Sequence, residues 1–313
     1  MQSPNITNQS DNDAKYVVIS PVRDEQAYLP FTIRSMVTQP VPPAEWIIVD
    51  DGSKDRTAAI AEEYASKFPW VRLARRNNRG FRSGGGGIEG FLYGVTLLQT
   101  QDWEFLVNLD GDVEFAPDYF ERCFAKFRED PALGIGGGTI YNNIDGTLYP
   151  EKCAESHVRG ATKIYRRECW EGLGGMVPGV GWDTVDEIKA NMRGWATRTF
   201  DDVPIIHHRK TGAVHGWWAD AAKNGCSDYF VGYHPVFFIA KCVRHLLFKR
   251  PFLARGTALA YGFLSAYLRG SPRIADQEFI RFLRQQQLRR LLSPKTRAVS
   301  LTSPAKCDFL KNS

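Results

Sequence analysis

Apolar and polar positions follow three successive regimes along this chain. Residues 1–14 are polar without period, the pattern of a disordered tail. Tyr16-Val17-Val18-Ile19-Ser20 is then a short apolar run rich in β-branched residues and closed by Pro21. Such a run reads as a strand buried on both faces. Leu29, Ile33, Met36 and Val37 repeat at helical spacing over 29–38, and Trp46-Ile47-Ile48-Val49 is a second buried strand. A helix over Thr57 to Phe68, a strand at Val71-Arg72-Leu73, a helix over Phe91 to Leu98 and a strand at Phe105-Leu106-Val107 continue the alternation. Strand and helix in turn predict an α/β fold: a mostly parallel sheet sandwiched by helices. Beyond it, the pattern predicts a helix over Pro117 to Phe127 and a glycine-rich strand or turn over Gly134 to Tyr141. Residues 142–170 carry no assignable period. A helix through Ile188, Met192 and Trp195, starting near residue 186, and a strand at Val203 to Ile206 follow.

The third regime begins near Tyr229. Large apolar residues continue to Leu268 but are broken by Lys241, Arg244, Lys249, Arg250 and Arg255. No run reaches the ~18–20 apolar residues of a spanning helix. Arg273 to Leu292 reads as a basic amphipathic helix, and residues 293–313 as a second disordered tail. The expected division is therefore a tail at 1–14, a catalytic body at 15–228, an amphipathic helical region at 229–292 and a tail at 293–313.

Charge reinforces that division. The net +5 conceals fifteen Lys/Arg against three Asp/Glu in residues 229–313, a net +12 beside −7 for the remainder. A basic, interrupted-apolar appendage points to helices lying in an anionic membrane surface. A helical subdomain or a dimer contact is the competing reading. Nucleic acid is not expected as a partner, because no aromatic stacking platform or known nucleic-acid-binding pattern accompanies the charge. The six cysteines are scattered without metal-site spacing, and Met1 to Lys15 lacks the apolar core of a signal peptide. Both features lead us to expect reduced thiols and a cytoplasmic protein, peripheral on the cytoplasmic face of the inner membrane.

Candidate chemistry concentrates at Asn108-Leu109-Asp110-Gly111-Asp112. A buried strand ending in two carboxylates one residue apart delivers acidic oxygens to the sheet's carboxyl edge, where open α/β sheets bind ligands. Those donors suit a hard divalent cation, Mg²⁺ or Mn²⁺. Asp-Gly is also an ordinary turn pair. Gly85, Gly87 and Gly90 fit a dinucleotide-binding spacing, but Arg75 to Ser83 separate them from the preceding strand, which argues against such a site. Arg79 and Arg82 either reach a phosphate or belong to a solvated loop.

Several patterns line up in one order. Ile19-Ser20-Pro21-Val22-Arg23-Asp24-Glu25, Ile48-Val49-Asp50-Asp51-Gly52-Ser53-Lys54-Asp55, Asp110-Gly111-Asp112, and Asp183 placed eleven residues before Gly194-Trp195 together resemble the inverting family 2 glycosyltransferases, over about residues 15–210. The resemblance implies the A-type nucleotide-sugar-binding fold and a nucleotide-diphosphate sugar donor. It further implies a saccharide or lipid-linked acceptor. By the same resemblance Asp112 ligates the metal, Asp110 holds the donor ribose or assists the metal, and Glu114 adds a ligand or an outer contact. Asp51 binds the nucleotide base, while Pro21, Arg23 and Glu25 line its pocket. Asp183 is the favoured general base, with Asp186 as the alternative. The chain departs from the family pattern at Arg23, often Tyr or Phe, and at Trp182, often Glu. One of His207 and His208 is expected to point inward and complete the metal sphere or meet a phosphate, unless it is structural; Arg209 is a further diphosphate contact. Two rival enzymes share parts of the pattern. A haloacid-dehalogenase-like phosphohydrolase shares the motif around Asp110, but its acidic pair should lie downstream of that residue. A sugar-phosphate nucleotidyltransferase lacks support at Pro21 to Leu29. A catalytically inactive nucleotide-binding relative is the third alternative.

Overall fold

The computed structural model describes residues 14–78, 86–144, 146–151, 154–176, 181–209, 216–248 and 251–292. The two expected tails (apart from Ala14), Arg79, Arg82 and Gly85 lie outside the described residues. Four strands form a parallel half-sheet: β1 (Tyr16–Val22), β2 (Glu45–Asp50), β3 (Val71–Arg75) and β4 (Phe105–Leu109), in the order β3-β2-β1-β4. The chain builds outward from β1 to β3 and then crosses to β1's other edge for β4. This reversal opens a crevice at the carboxyl ends of β1 and β4. Pro21 lies inside β1 rather than ending it. Pairing with β4 has already stopped at Ile19, so on that side the missing N–H costs no ladder bond.

The remaining strands make the sheet mixed. β8 (Thr162–Arg166) runs antiparallel to β4, β6 (Leu133–Ile144) antiparallel to β8, and β9 (Ala196–His207) parallel to β6. β5 (Val113–Phe115) closes the path beside β9, and β7 (Thr147–Pro150) pairs with β6, giving nine strands.

Alternation along the strands sends side chains to two cores. Tyr16, Val18, Trp46, Ile48 and Val107 face α1 (Leu29–Val37), α2 (Thr57–Lys67) and α4 (Tyr119–Glu129). Val17, Ile19, Ile47, Val49 and Leu106 face α3 (Gly86–Thr96), α5 (Arg167–Gly172) and α6 (Trp182–Met192). Both faces are covered, which explains why β1 and β2 read as unbroken apolar runs instead of alternating ones.

Four helices complete the described chain: α7 (Gly216–Val231), α8 (Pro235–Phe248), α9 (Ala254–Leu268) and α10 (Gln277–Leu292). The division expected between 228 and 229 falls inside α7. Ala258, Gly262 and Ala266 recur every four residues on α9 and are buried. A Cβ on Gly262 would strike the Ala222 carbonyl oxygen and one on Gly225 the Leu259 carbonyl, so only glycine lets α7 and α9 approach this closely. α10 departs from the expectation of a helix lying in a membrane. Its apolar residues Phe279, Ile280 and Leu283 are buried with Val185 and Ile188 of α6 and Val231 of α7, so that stripe is spent inside the protein. Among the described residues, no helix is long and apolar enough to cross a membrane.

Candidate active site

β4 ends at Leu109, and the next N–H, that of Asp110, donates to the Ala161 carbonyl at 2.9 Å. That bond pins the Asp110-Gly111-Asp112 turn over the crevice. β9, paired with β5 so that His207 lies opposite Val113, brings His207 to the same place. One ligand atom each from Asp110, Asp112 and His207 lies within 4.8 Å of the others. His207 Nε2 is 3.1 Å from Asp112 Oδ1, yet that buried oxygen has no hydrogen bond of acceptable geometry. A desolvated carboxylate oxygen aimed into a cluster of two carboxylates and an imidazole fits a divalent cation.

The electrostatics agree. Burial, then Asp112, raise the Asp110 carboxyl to about 6, against the pull of His207, Arg159 and Arg209. Burial, then Asp112, push Glu25 up to about 8 while Arg209 opposes. Burial lowers His207, but the adjacent Asp112 carboxylate outweighs it and leaves the imidazole raised. Three carboxylates thus crowd a desolvated space where added positive charge is favourable. Arg209 supplies some: Nη2 is 2.7 Å from Glu25 Oε2 and Nε 3.8 Å from Asp112 Oδ2. Glu25, expected in the nucleotide pocket, therefore sits on the acidic-cluster side. His208 turns the other way, bonding Glu114 at 2.8 Å and stacking on Phe31 at 4.5 Å. Glu114 is consequently outside the cluster.

Two loops that follow β1 and β2 bond each other. Asp24 N–H donates to Ser53 Oγ, Lys54 N–H to Asp24 Oδ1, Glu25 N–H to Thr57 Oγ1 and Arg56 N–H to Gln26 Oε1, all within 3.1 Å. Asp50 accepts the Ser53 N–H at 3.1 Å, closing the turn locally. Asp51 is buried with Arg76 Nη1 3.5 Å away, a partner the sequence reading missed. Gly52 has φ +78°, and a Cβ there would overlap Asn78 Cα. Arg23 Nη2 donates to Asn78 Oδ1 at 3.0 Å, and Asn78 donates to the Gly52 carbonyl at 2.9 Å, so Arg23 is tied to the turn after β2. Pro21 packs against Gly90, where a Cβ would come within 2.9 Å of the proline ring.

On the other side stands α6. It begins at Trp182, four residues earlier than its periodicity suggested, after Gly181 at φ +91°. Asp183 thus lies in the first turn, part-exposed, with Arg159 Nη1 3.8 Å from Oδ2. Asp186 is 2% exposed. It accepts from Lys163 Nζ at 3.1 Å, from Tyr165 OH at 2.6 Å and from the Glu187 N–H at 2.7 Å. Burial pushes its carboxyl upward against the opposing charge of Lys163. Neither carboxylate is the N-cap. Glu187 also meets Lys163 at 3.1 Å and accepts the Val158 N–H at 2.7 Å. Trp182, the departure from the family pattern, lies with its ring 5.5 Å from Lys163 Nζ. Sequence reasoning missed Lys163; the one signal was a lysine inside the otherwise buried Thr162–Tyr165 run. Lys163→Met is expected to destabilise the protein by about 3–5 kcal/mol, since it strands two buried carboxylates. Denaturant unfolding checks this, and an unchanged midpoint would refute the clamp.

The model of a family described as glycosyl transferase family 2 matches residues 17–179, a stretch ending before α6. The polyprenol monophosphomannose synthase of Mycolicibacterium smegmatis is 28% identical over 174 residues, covering 50% of this chain and 63% of that protein. The undecaprenyl-phosphate mannosyltransferase of Micrococcus luteus is 27% identical over 164 residues, covering 49% of this chain and 65% of that protein. The chain thus spans less than two thirds of either relative. Among solved structures, the mannosyltransferase PcManGT from Pyrobaculum calidifontis, in complex with GDP-Man and Mn²⁺, superposes with a TM-score of 0.52 at 17% identity, covering 90% of this chain and 82% of that one. The likeness establishes the fold.

Proposed function

Because the chain belongs to glycosyl transferase family 2, and is a glycosyltransferase, we propose that it moves a sugar from a nucleotide-diphosphate sugar to a hydroxyl of a lipid-linked saccharide or lipid acceptor, with inversion and with a divalent cation. The observation that carries this reading is the convergence of Asp110, Asp112 and His207 at the sheet's carboxyl edge. Asp51 and Arg23 belong to the loops that follow β2 and β1 at the same sheet edge, which supports a nucleotide site beside the cluster. Arg159, whose charge acts on Asp110 and which approaches Asp183, links the cluster to α6.

Asp112 and His207, with Asp110, are the residues to hold Mg²⁺ or Mn²⁺, which supplies charge neutralisation for the diphosphate. Asp51 takes the nucleotide base, with Pro21 and Arg23 as walls. Arg209 faces the departing phosphates. Asp183 accepts the acceptor's hydroxyl proton as its oxygen bonds the anomeric carbon from the face opposite the breaking carbon–oxygen bond, and the nucleoside diphosphate leaves. Asp186, already committed to Lys163 and Tyr165, positions α6. The GDP-Man and Mn²⁺ of the Pyrobaculum structure and the lipid phosphates in the relatives' names support a sugar nucleotide donor and a lipid acceptor here; the cytoplasmic face of the membrane is the proposed place of the reaction.

A thermal-shift panel of nucleotide-sugars with and without Mn²⁺ tests the donor. A ligand at a hundredfold its Kd stabilises the fold by about 2.7 kcal/mol, so one nucleotide class should raise Tm, and only with the cation. If no sugar nucleotide shifts Tm and none is cleaved to its nucleoside diphosphate, the reading fails.

A further inference from the structure

We propose that the outward faces of α8 and α9, flanked by Trp217 and Trp218 at the start of α7, form the surface on which this protein rests on an anionic lipid bilayer. The inference deepens the reading of a lipid acceptor and rests on it only for its purpose, since the surface itself is read from exposure and charge.

Each of the two helices has one apolar stripe too many. On α8, Phe238 and Cys242 pack with Leu259 of α9. A second stripe at Val236, Ile239, Val243 and Leu247, spaced by three and four residues, is open to solvent, with Ile239 61% exposed. On α9 Gly262 packs on Ala222 of α7, while Tyr261, Leu264 and Leu268 are exposed, Leu268 at 81%, with the Tyr261 ring 6.3 Å from that of Trp218. Scattered apolar residues are ordinary on a surface, but two adjoining helices that both present a periodic stripe mark an interaction site.

Charge selects the occupant. From Pro235 to Ala275 there are seven Lys/Arg and no Asp/Glu. The acids of α7 next to these helices are already met: Asp228 by Lys241 at 2.7 Å and Asp220 by Arg255 at 3.3 Å. Arg244 and Arg269 are exposed. A second copy would set this positive surface against itself. A leaflet of anionic lipid complements both the charge and the apolar stripe, and the exposed Trp217, Trp218 and Tyr261 are of the type that settles at the headgroup level. Since none of the described helices is long and apolar enough to span, the helices lie in the interface. α10 takes no part, its stripe being packed on α6 and α7.

The test is sedimentation of the full chain with vesicles of equal parts phosphatidylcholine and phosphatidylglycerol, and with phosphatidylcholine alone. The protein should pellet with the anionic vesicles at low salt and be only partly released at high salt, because salt does not screen the apolar contacts. The double variant Ile239→Asp, Leu264→Asp, at two exposed positions, should bind at least ~10-fold more weakly. Its nucleotide-sugar thermal shift should match the parent's, which separates a failure here from a failure of the donor reading. A chain that stays in the supernatant, or a variant that pellets like the parent, overturns the proposal. So does a parent that ignores vesicles yet self-associates in sedimentation velocity through these residues, which would assign the surface to a second copy.

Discussion

Asp183→Asn should lower turnover by ~10²–10⁴, the usual range for losing a general base, while donor affinity and Tm stay close to the parent. The substitution keeps the side chain's shape and its place in the first turn of α6 and removes only basicity. The fold does not depend on this carboxylate, which is part-exposed and meets Arg159 at a loose 3.8 Å. Asp186→Asn makes the informative contrast. It weakens a buried clamp on Lys163 and Tyr165, so its main effect should be on the unfolding midpoint, with activity falling in step with folded protein. If instead Asp183→Asn turns over normally and Asp186→Asn is folded but inactive, the assignment of the base is reversed. Product stereochemistry by NMR supplies an independent check: a product retaining the donor's anomeric configuration excludes the inverting mechanism whatever the variants do.

Asp112→Ala should abolish cation-dependent turnover, a loss of at least ~10³-fold if several kcal/mol of leaving-group stabilisation disappear. The metal-free fold should not suffer. Removing Asp112 relieves a repulsion that now raises both Asp110 and Glu25, so the unfolding midpoint should hold or rise. Mn²⁺ should then no longer shift Tm, a readout independent of activity. Full activity in this variant, or in the parent with excess chelator, would remove the metal from the mechanism.

The parallel half of the sheet was legible because β1, β2 and β4 are buried on both faces and announce themselves as apolar runs. β6, β8 and β9 were harder for physical reasons. β6 carries Gly134 and Gly136 to Gly138, where in turn Trp195, Phe200, the Thr162 carbonyl and the Val203 carbonyl leave no room for side chains. β8 contains a charged residue whose burial depends on partners in α6, and β9 crosses Asp201 and Asp202 before reaching Ile205. Their pairing is set by distant strands, which local pattern does not encode. The same limit applied to the site. The resemblance favoured Asp183 and kept Asp186 as the alternative; that the first is part-exposed and the second buried against Lys163 follows from how α6 packs, which spacing does not encode. Strand alternation required His207 and His208 to diverge, but the register of β9 on β5 decided that His207 faces the acids. Glu25 was read as lining the nucleotide pocket with the rest of its loop; its pairing with Arg209, 184 residues away, is made by the fold and has no local signal.

That dependence on β9 has a thermodynamic corollary. Asp110 and Asp112 follow a strand of the early parallel half, whereas His207 ends a strand held in the sheet through β6 and β8. An ion shared by these three side chains spans both halves, so it has no comparable site in a chain whose second half is still unpaired. By linkage, any cation affinity of the cluster becomes cohesion between the halves. Hydrogen exchange in β9 and β6 should then slow on adding Mn²⁺ more than exchange in β2 and β3, the signature of a cation that fastens the two halves together.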